Sequence, residues 1–324
     1  MFADDIKNFP QQFSWEPQIE NTGDLKKLEK AVILGMGGSH LAADVLRTWT
    51  PYAERIIIHS DYGLPPLAED DLKKSLVVAV SHSGNTEEVL GGFNEAIKKN
   101  LAVAAVASGG KLIELARHNT KPYIIIPDLN IQPRLATGYH FRAILKIMGE
   151  NAALEETKTL AQTLQPQALE QEGRRIAERI NGRIPIIASS TKKAAVAQNW
   201  KVAFNETAKI PAMVSAIPES NHNELAGFLG WFAGQELSKK FIFIFLEDGY
   251  DHPRNQKRMA LTADLYQKAG LAVEKIKLAG ENHWHKIFSA LLLANWASYR
   301  LAELRGDNPE ETNAIEKFKQ MMAE

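Results

Sequence analysis

Cysteine is absent from this 324-residue chain, which excludes disulfides, thiolate metal sites and cysteine nucleophiles and fits a reducing compartment. An excess of charge is missing too. Lys and Arg total 38 against 39 Asp and Glu, so no basic field draws in nucleic acid or an anionic membrane surface. Long apolar runs are lacking as well: the longest apolar strand, 241–246, is far too short to span a bilayer. The opening M-F-A-D-D-I-K-N-F-P is acidic and has no apolar core of a signal peptide. These absences point to a cytoplasmic enzyme with neither a nucleic-acid nor a membrane partner. The 45% hydrophobic content is ample for two buried cores, and the length suggests two domains.

The most informative stretch is V-V-A-V-S-H-S-G-N-T, from Val77 to Thr86. A short Val-rich run reads as a buried parallel strand, and it breaks into hydroxyl residues and Gly just before a helical pattern begins. A helix start leaves backbone N–H groups unpaired and carries partial positive charge, so a phosphate docks there without a lysine. Ser81, Ser83 and Thr86 add three hydroxyl donors at the same point. A phosphorylated small molecule is the expected ligand.

A related device lies upstream, where the strand at 31–34 feeds Gly35-Met36-Gly37-Gly38-Ser39-His40 and Leu41, Ala42, Val45 and Leu46 follow at helical spacing. Further strands are expected at 55–59, 76–80, 101–107 and 123–126, with helices at 86–99 and 109–118. This alternation predicts a doubly wound parallel sheet with helices on both faces and ligands at the carboxyl ends of the strands. Residues 1–30 read as a helical lead-in packed on the first domain. Pro133 is expected to open an apolar helix running to about 149. Residues 151–181, rich in Glu, Gln and Lys, read as an exposed helical connector, which places the domains at 1–155 and 156–324. The second half repeats the plan: strands at 184–188, 241–246 and 271–278, helices at 193–208, 253–269 and 283–305. The fold class is therefore α/β with two related doubly wound domains, only one of which carries the full phosphate-type loop.

Several motifs also have plain readings. G-M-G-G-S-H could begin a dinucleotide fingerprint, but His40 stands at the third glycine position, and the glycines could serve only a tight turn. His283 and His285 alternate on a helical pattern and so point to nearly opposite sides, which argues against a shared metal. Glu206, beside an apolar stripe, and His222, near an Asn cap, are ordinary residues on spacing alone.

In combination, G-M-G-G-S, S-H-S-G-N-T, Q-P-R, N-E-T-A-K and S-N-H-N-E-L resemble the bifunctional phosphoglucose/phosphomannose isomerase family, built from two sugar isomerase (SIS) domains. The resemblance runs from about Ala31 to Lys319. It departs at His82, commonly Tyr, and at His40, commonly a small residue. The resemblance implies a sugar 6-phosphate held by Ser81, Ser83 and Thr86, with Gly37, Gly38 and Ser39 along the sugar. It implies Glu206 as the base that moves a proton between C2 and C1 through a cis-enediol, and Arg134 as the group that stabilises the enediolate. His222 and Lys319, with Lys317 the alternative lysine, are the implied ring-opening residues, and Thr312 the residue that leaves room for both C2 epimers. No cofactor and no metal are implied, and a homodimer sharing His222 across its interface is. A non-catalytic SIS module that binds sugar phosphates and a nucleotide-dependent oxidoreductase are the alternatives from other classes.

Overall fold

The structure, a computed structural model, describes residues 2–230 and 234–323. The chain divides into two compact units, Lys7–Leu164 and residues 1–6 with 165–324. No helix among the described residues is long and apolar enough to cross a membrane.

In the Lys7–Leu164 unit, β1 (Lys30–Gly35), β2 (Ile56–His59), β3 (Ser75–Val80), β4 (Val103–Ala107) and β5 (Tyr123–Ile125) form a parallel sheet in the order β2-β1-β3-β4-β5. The central strand β3, S-L-V-V-A-V, is buried along its whole length, as expected of a strand covered on both faces. Val77, Ala79, Val89, Phe93, Val103 and Leu112 lie together in one apolar cluster that seats helices Glu87–Lys98 and Gly110–His118 on the sheet. The strand order reverses between β1 and β3, and the carboxyl ends there are where doubly wound sheets hold ligands.

The expected helix from Pro133 is interrupted. Pro133–Leu135 is a 3-10 turn and the α-helix is Thr137–Ile147. The cause is Gln12, whose Nε2 donates to the Leu135 carbonyl at 2.7 Å while its Oε1 accepts from the Tyr139 N–H at 3.2 Å. In a continuous helix those two groups would bond to each other. Gln12 has inserted itself between them, and the turn carrying Arg134 is set apart from the helix.

In the other unit, β6 (Ile184–Ser190), β7 (Met213–Ile217), β8 (Phe241–Glu247) and β9 (Ala272–Lys277) pair in parallel in the order β7-β6-β8-β9. Two sequence expectations fail here. The 151–181 segment is no exposed connector, because its helix Glu170–Ile180 buries Gly173, Ile176, Ala177 and Ile180. Gly173 permits this packing: a Cβ there would lie 2.5 Å from Trp296 Cβ, on helix His283–Arg305. Trp296 in turn donates from Nε1 to the Pro166 carbonyl at 2.7 Å. The lead-in also departs from expectation, since residues 2–6 go with this unit, where Phe2 stacks on Tyr299 at 5.8 Å between ring centroids.

The carboxyl end of this second sheet is occupied by the protein's own charges. The Asp248 carboxylate, just past β8, receives Lys286 Nζ at 2.7 and 2.8 Å, and Lys193 Nζ lies 3.1 Å from it. All three side chains are buried. Burial alone would raise the Asp248 pKa, but the Lys286 hydrogen bond, the Tyr250 N–H and the Lys193 charge outweigh it and hold the carboxyl below its usual range. Nearby, Ser190 Oγ donates to Asp251 Oδ1 at 2.8 Å, and burial pushes the Asp251 carboxyl up.

Asp248→Ala would leave two buried ammonium groups without their counter-charge, so it is expected to lower unfolding free energy by about 3–5 kcal/mol in urea titration. The wild-type contribution is present at neutral pH and is lost as the pH falls through the depressed folded-state pKa. An Asp248→Ala variant with wild-type stability at pH 7 would refute the network's role.

Candidate active site

The phosphate-type loop follows β3 and is held almost entirely by its own chain. Ser81 N–H donates to the Val106 carbonyl at 3.0 Å, extending the sheet by one step. Ser81 Oγ then lies 2.8 Å from Thr86 Oγ1 and accepts from the Gly84 N–H at 3.1 Å, which draws the loop into a tight ring. Ser83 is exposed at the outer edge, and Thr86 stands at the start of helix Glu87–Lys98. The hydroxyls expected to hold a phosphate are therefore gathered at one helix N-terminus.

Two glycines make this arrangement possible. Gly84 has φ +70°, and a Cβ on it would lie 1.9 Å from the Gly109 carbonyl oxygen. Gly110, with φ +71°, would bring a Cβ within 2.4 Å of the Ser83 carbonyl oxygen. The loop and the start of helix Gly110–His118 thus meet backbone to backbone, reinforced by Leu112 N–H to Gly84 O at 2.9 Å and Lys111 N–H to Asn85 Oδ1 at 3.2 Å.

The G-M-G-G-S segment joins the same crevice. Ser39 Oγ accepts from the His82 N–H at 2.9 Å, tying the turn after β1 to the loop after β3. Gly38 is pressed against the Arg134 segment, where a Cβ would fall 2.9 Å from Arg134 N. Arg134 is buried, and its Nη1 donates to Gln132 Oε1 at 3.1 Å. The structure thus brings Gly37, Gly38, Ser39, Ser81, Ser83, Thr86 and Arg134 to the carboxyl end of one sheet. His40 is spoken for: its Nδ1 lies 2.6 Å from Asp44 Oδ2, one helical turn on.

His82 lies between Ser81 and Ser83, and its ring meets His140 edge to face, with centroids 5.4 Å apart. His140, from helix Thr137–Ile147, is fully buried, and neither of its ring nitrogens has a hydrogen-bond partner. The His82 Nδ1 is likewise buried and unpartnered. Each such atom costs roughly 1–3 kcal/mol of desolvation. Burial, then the neighbouring His82, pushes His140 down to about 3. Burial also lowers His82, with Asp128 pulling the other way. Both rings are uncharged at neutral pH.

The remaining candidates lie in the other unit. Glu206 is the last residue of helix Ala194–Glu206 and is partly buried. The lysine of N-E-T-A-K, which sequence reading left without a role, holds this helix end. Lys209, with φ +53°, folds its Nζ back onto the Glu206 carbonyl and lies 3.5 Å from the Pro309 carbonyl. A cation at a helix C-terminus satisfies end carbonyls and opposes the dipole. Sequence spacing held a signal for it: a lysine three residues past a helix end.

His222 ends the 3-10 turn Glu219–His222 and is exposed. Thr312 opens helix Asn313–Ala323, its carbonyl accepting from Ile315 and Glu316 N–H at 2.9 and 3.0 Å. Lys319, on that helix, is exposed and paired with Glu316 at 2.8 Å, and Lys317 is exposed. Among the described residues neither His222 nor Lys319 makes a hydrogen bond or ion pair to Glu206. No group of three or more potential metal ligands occurs among the described residues.

A family model described as the bacterial phospho-glucose isomerase C-terminal SIS domain matches residues 169–322. A bifunctional phosphoglucose/phosphomannose isomerase of Aquifex aeolicus is 33% identical over 320 residues, covering 97% of this chain and 96% of that protein. A D-glucosamine-6-phosphate 4-epimerase of Sulfolobus acidocaldarius is 29% identical over 91% of this chain and 90% of its own length. Among solved structures, a hypothetical protein of Thermus thermophilus superposes with a TM-score of 0.70 over 99% of this chain and 88% of that one. Its 15% identity makes that a likeness of fold alone. The α/β architecture with two parallel sheets flanked by helices is thus of the SIS type.

Gly84→Ala adds a Cβ where the Gly109 carbonyl already stands, so the loop must move. Inorganic phosphate is expected to raise the melting temperature of the wild-type protein and not that of the variant. A wild-type phosphate response in Gly84→Ala would remove this loop as the anion site.

Proposed function

The chain belongs to the bifunctional phosphoglucose/phosphomannose isomerase family, and on that premise we propose that it interconverts glucose 6-phosphate and mannose 6-phosphate with fructose 6-phosphate. It is an aldose–ketose isomerase. The observation that carries the reading is the full-length 33% match, spanning both the phosphate-type loop and the N-E-T-A-K helix end.

In the proposed mechanism Ser81, Ser83 and Thr86, with backbone N–H groups at the start of helix Glu87–Lys98, hold the 6-phosphate, and Gly37, Gly38 and Ser39 border the sugar. No lysine is needed, because the helix start and the hydroxyls supply donors that are already oriented. His222 and Lys319 move protons at the ring oxygen and the C1 hydroxyl as the ring opens. Glu206 takes the C2 proton of the aldose and returns it to C1, passing through a cis-enediolate. A positioned carboxylate of this kind contributes about 10² to 10⁴ in rate. The enediolate carries negative charge on oxygen, which the fixed Arg134 guanidinium offsets. Because C2 is planar in the intermediate, rotation about the C2–C3 bond presents either of its faces to Glu206, so protonation gives glucose or mannose 6-phosphate, and Thr312 leaves room for both.

The active species in this proposal is a homodimer in which His222 serves the neighbouring copy. Two observations support it: His222 is exposed, and helix Asn313–Ala323 presents Ile315, Phe318 and Met321 to solvent, 42%, 62% and 63% exposed. A cytoplasmic site and a place where glycolysis and gluconeogenesis share a step accord with this substrate class.

The experiment is proton exchange in D₂O with EDTA present, starting from fructose 6-phosphate and read by NMR. Deuterium should appear at C2 of newly formed glucose 6-phosphate and mannose 6-phosphate, and Glu206→Gln should slow its entry by at least about 10²-fold. Binding without exchange would leave a sugar-phosphate-binding module instead. A product altered at C4 would point to the epimerase chemistry of the Sulfolobus relative.

A further inference from the structure

We propose that His82 is a further substrate-positioning residue of the loop: its imidazole, backed by His140, turns Nδ1 inward and presents Nε2–H as an additional donor to the anionic ligand. The proposal rests on the phosphosugar reading of the loop. His140, which acts through His82, is its positioning residue.

Three observations carry it. First, the backbone of His82 is clamped at both ends: its N–H donates to Ser39 Oγ at 2.9 Å, and its carbonyl accepts from Ser108 N–H at 2.9 Å and Ser108 Oγ at 2.7 Å. The side chain therefore leaves the loop from a fixed backbone and meets His140. Second, of the four ring nitrogens in the His82–His140 pair, three are enclosed without a hydrogen-bond partner, and only His82 Nε2 is not. Third, an enclosed N–H without an acceptor is less tolerated than an enclosed lone pair, so the His82 hydrogen belongs on Nε2.

Position 140 backs the His82 ring with an aromatic side chain, and Phe there could make the same edge-to-face contact without burying two unpartnered nitrogens. His82 Nδ1 is shut off from water, and burial lowers both imidazoles and keeps them neutral, with Asp128, from the segment after β5, acting on His82 in the opposite sense. A phosphate dianion arriving beside Nε2 accepts from its N–H while the ring stays neutral, because a second proton would have to go onto the enclosed Nδ1.

The test is calorimetric titration of the full-length protein with fructose 6-phosphate at about pH 7.5, where an imidazole of lowered pKa is neutral. Wild type is compared with His82→Phe, His82→Asn, His140→Phe and His140→Ala. His82→Phe should weaken binding by about tenfold, the loss of one charge-assisted hydrogen bond. His82→Asn, which retains a donor, should recover part of the affinity and remains informative if the Phe variant misfolds. His140→Phe, which keeps the edge-to-face contact and buries no unpartnered nitrogen, should melt at a higher temperature than wild type and bind fructose 6-phosphate as wild type does, whereas His140→Ala, which removes the backing ring, should bind it several-fold more weakly. Wild-type affinity in His82→Phe would overturn the proposal. So would His140→Ala that folds and binds as wild type does. Wild-type protein that binds the sugar phosphate but does not turn it over would defeat the isomerase reading alone, and the variant comparison would still decide this one.

Discussion

The backbone-to-backbone contact between Gly84 and Gly109 is the constraint on which the candidate phosphate site depends. Side chains cannot enter that contact, so the loop after β3 and the turn after β4 lock as two bare peptides. Once locked, Ser81 has one place to put its hydroxyl, between Thr86 and the Gly84 N–H, and Ser83 is left at the outer edge. Donors fixed before a ligand arrives need no reorganisation when it binds, which is what makes an uncharged loop an effective anion cradle.

Arg134 is positioned by the same kind of economy. Gly38 lets its segment approach the first turn closely, and Gln12 prevents that segment from merging into helix Thr137–Ile147 by taking both partners of one helical hydrogen bond. Neither Gly38 nor Gln12 has chemistry to offer a sugar. Each acts by deciding where a guanidinium sits. Lys209 has a comparable part in the other unit, where it closes the helix end that bears Glu206.

The two sheets share a plan and differ in what fills the crevice between their central strands. In the Lys7–Leu164 unit the carboxyl ends of β1 and β3 carry glycines and hydroxyls. In the other, the corresponding ends of β6 and β8 carry Ser190, Lys193, Asp248 and Asp251, with Lys286 added from helix His283–Arg305. A carboxylate held by two ammonium groups occupies its crevice with an anion of the protein's own, a costly arrangement to assemble away from water and a costlier one to break.

Composition and periodicity alone determined the α/β class, the loop at Val77 to Thr86 and most strands, because Val-rich runs ending in Gly and Ser leave few alternatives to a buried strand and a turn. The family resemblance, too, was written in short contiguous motifs. Strand β7 is apolar but hard to read, because its five residues stand between Pro211 and Pro218 and its first two, Met213 and Val214, face solvent at a sheet edge. Helix Glu170–Ile180 looked like a connector because its Glu and Arg residues outnumber its four buried positions, and only the approach of Trp296 to Gly173 explains their burial. The placement of residues 2–6, the inserted Gln12 amide and the enclosed imidazole of His140 were decided by tertiary structure alone. Each depends on partners more than a hundred residues away or on the exclusion of water, and local sequence encodes neither.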